Sequence, residues 1–200
     1  MGFLTTFTLL LALFIGLAWF FGDESPVVDR SVLYAPIKDD EYTASLQSIP
    51  CTANPTLSIH SVNGPIKIHG HPHKNIVIQV TKHGDSKQFN KVHAKVQSTK
   101  DSIVISTHYD TRYTQSVALE YTLSVPFNTR CKLLKTTNGA IALDRVYGPI
   151  QSETVNGEIT INHSKSSVKA YSGNGTIKLT VDKATDQNSI DLATVNGFIE

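Results

Sequence analysis

The sequence is poor in the residue types that most often carry chemistry. Its 200 residues include two cysteines, one methionine and one tryptophan. No Cys-x-x-Cys pair is present, so there is neither a dithiol redox site nor the paired-cysteine half of a zinc site. Gly-x-Ser-x-Gly, a Walker-type glycine loop and His-Glu-x-x-His are also missing, which removes the best-marked hydrolase, nucleotidase and metalloprotease sites. Charge of one sign is lacking too: 18 basic residues stand against 17 acidic ones, scattered along the chain for a formal charge of +1. Such a surface releases few counterions from a polyanion, so nucleic acid is not expected as a partner. What is not lacking is apolar material, since 40% of the residues are hydrophobic and 18% charged, a balance that can bury a core.

That apolar material is unevenly spread. Phe3 to Phe21 contains no charge and holds five of the eight Phe and the only Trp, Trp19. Nineteen helical residues at about 1.5 Å each match the ~30 Å of bilayer hydrocarbon. Residues 1–22 are therefore expected to be a transmembrane helix that anchors the chain through residues 3–21. A cleaved signal peptide competes, with Gly16 and Ala18 as the small residues before a cut. Against cleavage, no Lys or Arg precedes the segment and the apolar run continues through Phe21. Orientation is weakly coded, because the nearest cation is Arg30. A polar β-rich body behind an N-terminal anchor is most simply exported, so the expected topology is single-pass with that body on the extracytoplasmic side.

Residues 23–55 hold four of the eight prolines and little periodicity, and read as an extended linker. From residue 56 to residue 200 the pattern is strand-like alternation: Ile76, Ile78 and Val80, then Val117, Leu119, Tyr121, Leu123 and Val125. Val92, Ala94 and Val96 suit a strand, although with Phe89 they also suit a short helix; strand is the reading taken. Cys51 and Cys131 are compatible with one disulfide in an oxidising compartment and equally with two separate packed thiols.

Asn-Gly, a strong turn signal because both residues tolerate positive φ, occurs five times: Asn63-Gly64, Asn138-Gly139, Asn156-Gly157, Asn174-Gly175 and Asn196-Gly197. From Asn138 the intervals are 18, 18 and 22 residues. Ile141, Ile159, Ile177 and Ile199 follow each Gly by two positions, and Ile150, Val168 and Ile190 precede the last three by seven. The longer interval places its four extra residues in a loop around Lys183 to Asn188. Leu57, Ile59, Asn63-Gly64, Ile66 and Ile68 fit the same template earlier. The pattern, clearest over residues 133–200, predicts an all-β chain with a short β-solenoid of stacked two-strand coils, preceded by further strands. Stacking would align Asn138, Asn156, Asn174 and Asn196 into an amide ladder. Independent hairpins are the rival arrangement.

Thr154-Val155-Asn156-Gly157-Glu158-Ile159, Thr194-Val195-Asn196-Gly197 and Ser172-Gly173-Asn174-Gly175 resemble the repeat of a bacterial β-strand-repeat family called putative adhesins, or autotransporter-adhesin-like proteins. The run from Tyr121 through Val125-Pro126 and Asn128 is similar to that family's entry strand, so the resemblance covers about residue 57 to the end. It implies an envelope-located β-solenoid with no established catalytic residues.

Little else points to chemistry. His69, His71 and His73 would share one face of a strand, with His60 nearby, but Pro72 interrupts pairing and no carboxylate or Cys lies between His60 and Lys82, so solvated loop histidines are expected rather than a metal site. A catalytic β-helix would need converging carboxylates. Glu153, Glu158, Asp144, Asp182 and Asp191 form no aligned row, because Tyr171 and Thr176 stand where Glu153 and Glu158 would repeat. Outward positions such as Thr160, Asn162, Lys169, Tyr171, Thr176, Lys178 and Thr180 suit contacts with a glycan or protein, and equally suit any solvated strand.

The resulting expectation is a non-enzymatic, membrane-anchored envelope protein with no catalytic residue, cofactor or metal. Its solenoid would serve as a structural or binding surface. The alternatives are a polysaccharide-active β-helix enzyme and a small regulatory partner of a membrane complex. An uncovered layer of Ile177, Leu179, Ile190, Leu192 and Ile199 is expected at the last coil, open to self-association.

Overall fold

The computed structural model describes residues 28–31, 35–38, 41–45, 48–110, 116–183 and 185–200. The expected membrane span at residues 3–21 lies outside them. Among the described residues no helix is long and apolar enough to cross a membrane.

The chain is all-β. In order come β1 (Val28–Ser31), β2 (Ala35–Lys38), β3 (Glu41–Ser45), β4 (Ile49–Pro50), β5 (Thr56–His60), β6 (Ile66–His71), β7 (Asn75–Gly84), β8 (Val92–Ser98) and β9 (Ser102–Tyr109). They are followed by β10 (Val117–Pro126), β11 (Arg130–Asn138), β12 (Ile141–Asp144), β13 (Ile150–Asn156), β14 (Ile159–Ser164), β15 (Val168–Asn174), β16 (Ile177–Val181) and β17 (Ile190–Asn196). Phe89 belongs to a short 3₁₀ turn, Ser86–Lys91, and the strand reading of Val92, Ala94 and Val96 holds in β8. The strands form two mixed, open sheets, ordered β1-β8-β9-β5-β11-β13-β15-β17 and β16-β14-β12-β6-β10-β7-β3-β2.

Alternation decides which side chains enter the space between the sheets. Ile66, Ile141, Ile159 and Ile177 are in register across four parallel strands and each is fully buried. On the other sheet Leu57, Cys131, Ile150 and Val168 make the facing row, at 0–3% exposure. Burying one such Ile or Val contributes roughly 1.5–3 kcal/mol, so rows of this kind outweigh any local turn preference. Each Asn-Gly from Asn63 to Asn174 carries the chain from a strand of the first sheet into the next strand of the second. Pairing is parallel between strands 18 residues apart, as in Ile150 with Val168 and Ile159 with Ile177, whereas hairpins would pair sequence neighbours antiparallel.

Two features depart from the sequence reading. The stacking order is not the chain order: β5 lies between β9 and β11, and β6 between β10 and β12, so the pair β5-β6 is inserted between two pairs that follow it in sequence. The segment read as a linker, residues 23–55, contributes β1 to the edge of β8, β3 and β2 to the edge of β7, and β4 to the start of β7. Backbone pairing needs no side-chain pattern, which is why a stretch without periodicity can supply strands; Pro36 is accommodated in β2 because β2 is an edge strand. Of the two arrangements left open for Cys51 and Cys131, the structure has the separate thiols. Cys131 is 2% exposed in the core row beside Leu57 and Ile150, and Cys51 packs on the core's margin.

Candidate functional site

The Asn-Gly steps form one continuous hydrogen-bonded column. Asn138 Nδ2 donates to Asn63 Oδ1 at 2.8 Å, Asn156 to Asn138 at 2.8 Å, Asn174 to Asn156 at 2.7 Å and Asn196 to Asn174 at 2.7 Å. The expected ladder thus exists and begins one rung earlier, at Asn63. Gly64, at φ 116°, has the positive φ expected of it, but most of the glycines serve another purpose. None of the five asparagines has a positive φ, and neither do Gly139, Gly157 or Gly197. Their need is close approach: a Cβ on Gly157 would lie 2.0 Å from the Gly139 carbonyl oxygen, and one on Gly139 2.1 Å from that of Gly64.

Sequence reasoning placed Thr154, Ser172 and Thr194 in the repeat but gave these residues no role. Two positions before each of the last four asparagines, Thr136, Thr154, Ser172 and Thr194 donate their hydroxyls to the carbonyls of Gly64, Gly139, Gly157 and Gly175 at 2.9–3.2 Å. The recurrence of Thr or Ser at this place was the available signal. These hydroxyls face inward, where a carbonyl left without a partner costs about 1–3 kcal/mol.

The outer faces carry mixed rows. Register aligns His60, Lys135, Glu153, Tyr171 and Ala193 across one sheet, and Gln151, Lys169 and Asp191 beside them. Carboxylates meet cations on adjacent strands: Glu153 with Lys135 at 3.3 Å, Asp191 with Lys169 at 3.4 Å, and Glu120 with Lys67 at 2.6 Å. Glu158 accepts from the Thr160 hydroxyl at 2.7 Å and lies 3.4 Å from Lys178, and these two contacts hold its carboxyl below the usual range. Burial pushes the Glu120 carboxyl up, but Lys67 and His83 outweigh it and the net shift is downward. Exposed pairs of this kind contribute only about 0–1 kcal/mol each, so they set surface character more than stability. Tyr171 is 43% exposed, with Val155 and Val195 also exposed on the same sheet. At the strand starts, Arg130, Lys132, Gln151, Lys169, Ser167 and Asp191 border a groove of about 730 Å³ whose polar groups could hold a hydroxylated or anionic ligand.

The structure brings His71 and His73 together, with ring centroids 5.4 Å apart and His73 N donating to His71 Nδ1 at 3.0 Å, but does not gather all four histidines. His69 and His71 lie on β6, His73 follows in the bend, and His60 is on β5 in the other sheet. His69 Nδ1 stands 3.0 Å from Asp144 Oδ2, and its Nε2 is 2.5 Å from Arg145 Nη2, which donates. Burial, with His73 and His69 adding to it, lowers the His71 pKa. Asp182 pairs with His163 Nδ1 at 2.7 Å. Arg145 and His163 occupy equivalent corners in the left-handed region, at φ 54° and 57°, a conformation nothing in the sequence announced. Among the described residues no group of His, Cys, Asp and Glu is arranged to hold a metal ion.

The expected uncovered layer needs one correction. Ile177 is fully buried, because Phe198 to Glu200 runs along β16 and Ile199 bridges to it. Ile190 and Ile199 are the open positions, at 48% and 50% exposure.

No family model matches the sequence, and no curated protein does. Among solved structures, a putative cell adhesion protein from Clostridium sporogenes superposes with a TM-score of 0.53 at 11% identity, covering 81% of this chain and 98% of that one. A putative adhesin from Parabacteroides distasonis, at 10% identity, covers 78% of this chain and 77% of its own with a TM-score of 0.33. At these identities only the first comparison carries weight, and it concerns fold. The two-sheet, all-β architecture of this chain is therefore similar to that of a crystallised putative cell adhesion protein, in line with the adhesin-like family that its Thr-Val-Asn-Gly motif resembles.

Proposed function

We propose that this is a non-enzymatic, membrane-anchored envelope protein whose C-terminal strand pairs act as a short adhesin-like β-solenoid, offering its outer faces as a structural or binding surface. The observation that carries the reading is the outer-face register. Carboxylates there are engaged by cations on the next strand, Glu153 by Lys135 and Asp191 by Lys169, and Glu153 is in line with Tyr171 instead of a second carboxylate. A face of exposed Tyr, Lys, Gln and Ser suits repeated weak contacts with a glycan or a protein, since an exposed Tyr offers an apolar ring and a hydroxyl together. Residues 3–21 supply the anchor on the strength of their length and lack of charge, with the β domain outside.

The test is a glycan array probed with the full chain in nanodiscs, paired with an assay for new reducing ends. Binding without turnover, weakened by Tyr171→Ala, is expected; release of reducing ends would establish an enzyme instead. Membrane fractions should retain the chain with its N-terminus intact, and protease added to intact cells should digest the β domain.

A further inference from the structure

Asn followed by Gly is the peptide step most prone to spontaneous deamidation, because a glycine carries no side chain to hinder attack by its nitrogen. In that reaction the Gly nitrogen bonds to the Asn Cγ and loses its proton, the Cγ–Nδ2 bond breaks, and ammonia leaves behind a succinimide ring. Water then opens the ring to aspartate or, through the other carbonyl, to isoaspartate. Five Asn-Gly steps in one chain are a chemical liability. Burial does nothing to relieve it, since Asn138, Asn156 and Asn174 are exposed.

Rung pairing holds both sides of these peptide units. In Asn138-Gly139 the Asn carbonyl accepts from Gly64 N at 2.8 Å, and Gly139 N donates to the Asn156 carbonyl at 3.0 Å. Gly157 N and Gly175 N donate in the same way to the Asn174 and Asn196 carbonyls, each at 3.0 Å. In Asn63-Gly64 the carbonyl accepts from Leu119 N at 2.9 Å, and Gly64 N is the donor to Asn138. All four nucleophiles are thus engaged with a carbonyl. Ring closure also needs the Asn ψ to turn until the Gly nitrogen eclipses Cβ. Asn138, Asn156 and Asn174 end β11, β13 and β15, and strand residues keep ψ at roughly +115° to +135°. The stacked backbones leave no room for that turn: even a Cβ on Gly157 or Gly175 would lie 2.0 Å from the carbonyl oxygen of the preceding rung's glycine. The leaving amides of Asn138, Asn156 and Asn174 are held as well, each donating to the preceding Oδ1.

We propose that the Asn-Gly column is a latent modification site gated by rung pairing: Asn63, Asn138, Asn156 and Asn174 stay intact while their rungs are paired and deamidate where a rung opens. Conversion then prevents the rung from closing as before. An aspartate at position 156 would present only acceptors to the Asn138 Oδ1 that now receives an amide. An isoaspartate lengthens the main chain by one methylene, which shifts β13 out of register with β11 and β15. Local unfolding of the column, a reversible event in most folds, is in this way recorded as a permanent carboxylate. The inference is independent of which ligand the outer faces bind.

The experiment incubates the full chain in detergent micelles at mildly alkaline pH, with and without guanidinium chloride. Mass spectrometry of each Asn-Gly peptide reads the exchange of NH2 for OH, and isoaspartyl methyltransferase labelling reads the isoaspartate. Without denaturant the four residues should convert at least roughly tenfold more slowly than in the unfolded chain. Sub-denaturing guanidinium should raise the rates in step with the open fraction measured by amide exchange at Gly139, Gly157 and Gly175. Thr154→Val removes the hydroxyl bond to the Gly139 carbonyl and should speed conversion of Asn138 roughly fivefold relative to Asn63 in the same molecule. Native rates equal to unfolded ones, or rates unmoved by both sub-denaturing guanidinium and Thr154→Val, would overturn the proposal. So would a deamidated chain that refolds with an unchanged Tm, because conversion would then leave the rung able to close.

Discussion

Asn156 Nδ2 donates to Asn138 Oδ1 at 2.8 Å, joining two residues 18 apart in sequence that sit directly above one another in adjacent parallel strands. The Asn156 side chain also accepts from Asn174 at 2.7 Å, whereas among the described residues the Asn196 side chain makes only the donating bond. At about 0.5–1.5 kcal/mol per net hydrogen bond, Asn156→Ala should cost about 1–2 kcal/mol and Asn196→Ala about half of that. Urea unfolding midpoints of the two variants check the order; equal losses would remove the ladder as the cause.

Gly157→Ala should be far worse than either. Its Cβ would lie 2.0 Å from a backbone carbonyl oxygen that the parallel pairing holds in place, so the two strand pairs must separate. Overpacking of that severity costs about 3 kcal/mol or more, and a clear fall in Tm is expected. A variant as stable as the parent would mean the strands are more loosely spaced than described.

Two inward hydroxyls on β13 should respond in opposite ways. Thr154 donates to the Gly139 carbonyl at 3.0 Å, so Thr154→Val should lose about 1 kcal/mol. Ser152 Oγ, two residues earlier, is buried with no hydrogen-bond partner among the described residues, so Ser152→Ala should gain about 1 kcal/mol. Chemical denaturation of the pair settles whether inward hydroxyls matter by their bonds or by their size.

Burial pushes the Cys131 thiol up to about 12, and burial followed by Asp101 raises Cys51. At neutral pH both are therefore protonated and poor nucleophiles. In the folded protein an alkylating reagent should modify Cys51 slowly and leave Cys131 untouched until denaturant is added. Failure to alkylate either residue in denaturant without reductant would show a disulfide.

Lys82 is 2% exposed, and burial lowers its pKa to about 8, opposed by the nearby Asp110 carboxylate. The unfolded chain, with an ordinary lysine near 10.4, binds more protons than the native state between these values, so unfolding free energy should rise with pH from about 8 to about 10.4. Lys82→Met should remove that slope. A parent and variant with parallel stability profiles would refute the assignment.

Much of the site was legible because its code is local and repeated. Asn-Gly at intervals of 18 residues, with Ile two positions later, announces which residues share a column before any fold is known. The reason for the glycines was not legible. Turn propensity and close backbone approach both select Gly, and only the 2.0 Å clearance above Gly157 separates them.

The sequence by itself determined the strands of the repeated part, their inward faces and the order of the rungs from Asn138 onward, because alternation and equal spacing are properties of the chain alone. The tertiary structure decided that β5-β6 is inserted between β9-β10 and β11-β12, that β1 to β3 close the edges of β8 and β7, and that Cys131 packs against Ile150 as a free thiol. The physical reason is that strand pairing uses backbone groups every residue carries. Which strand lies beside which is then settled by burying whole apolar rows together, and no single segment encodes that.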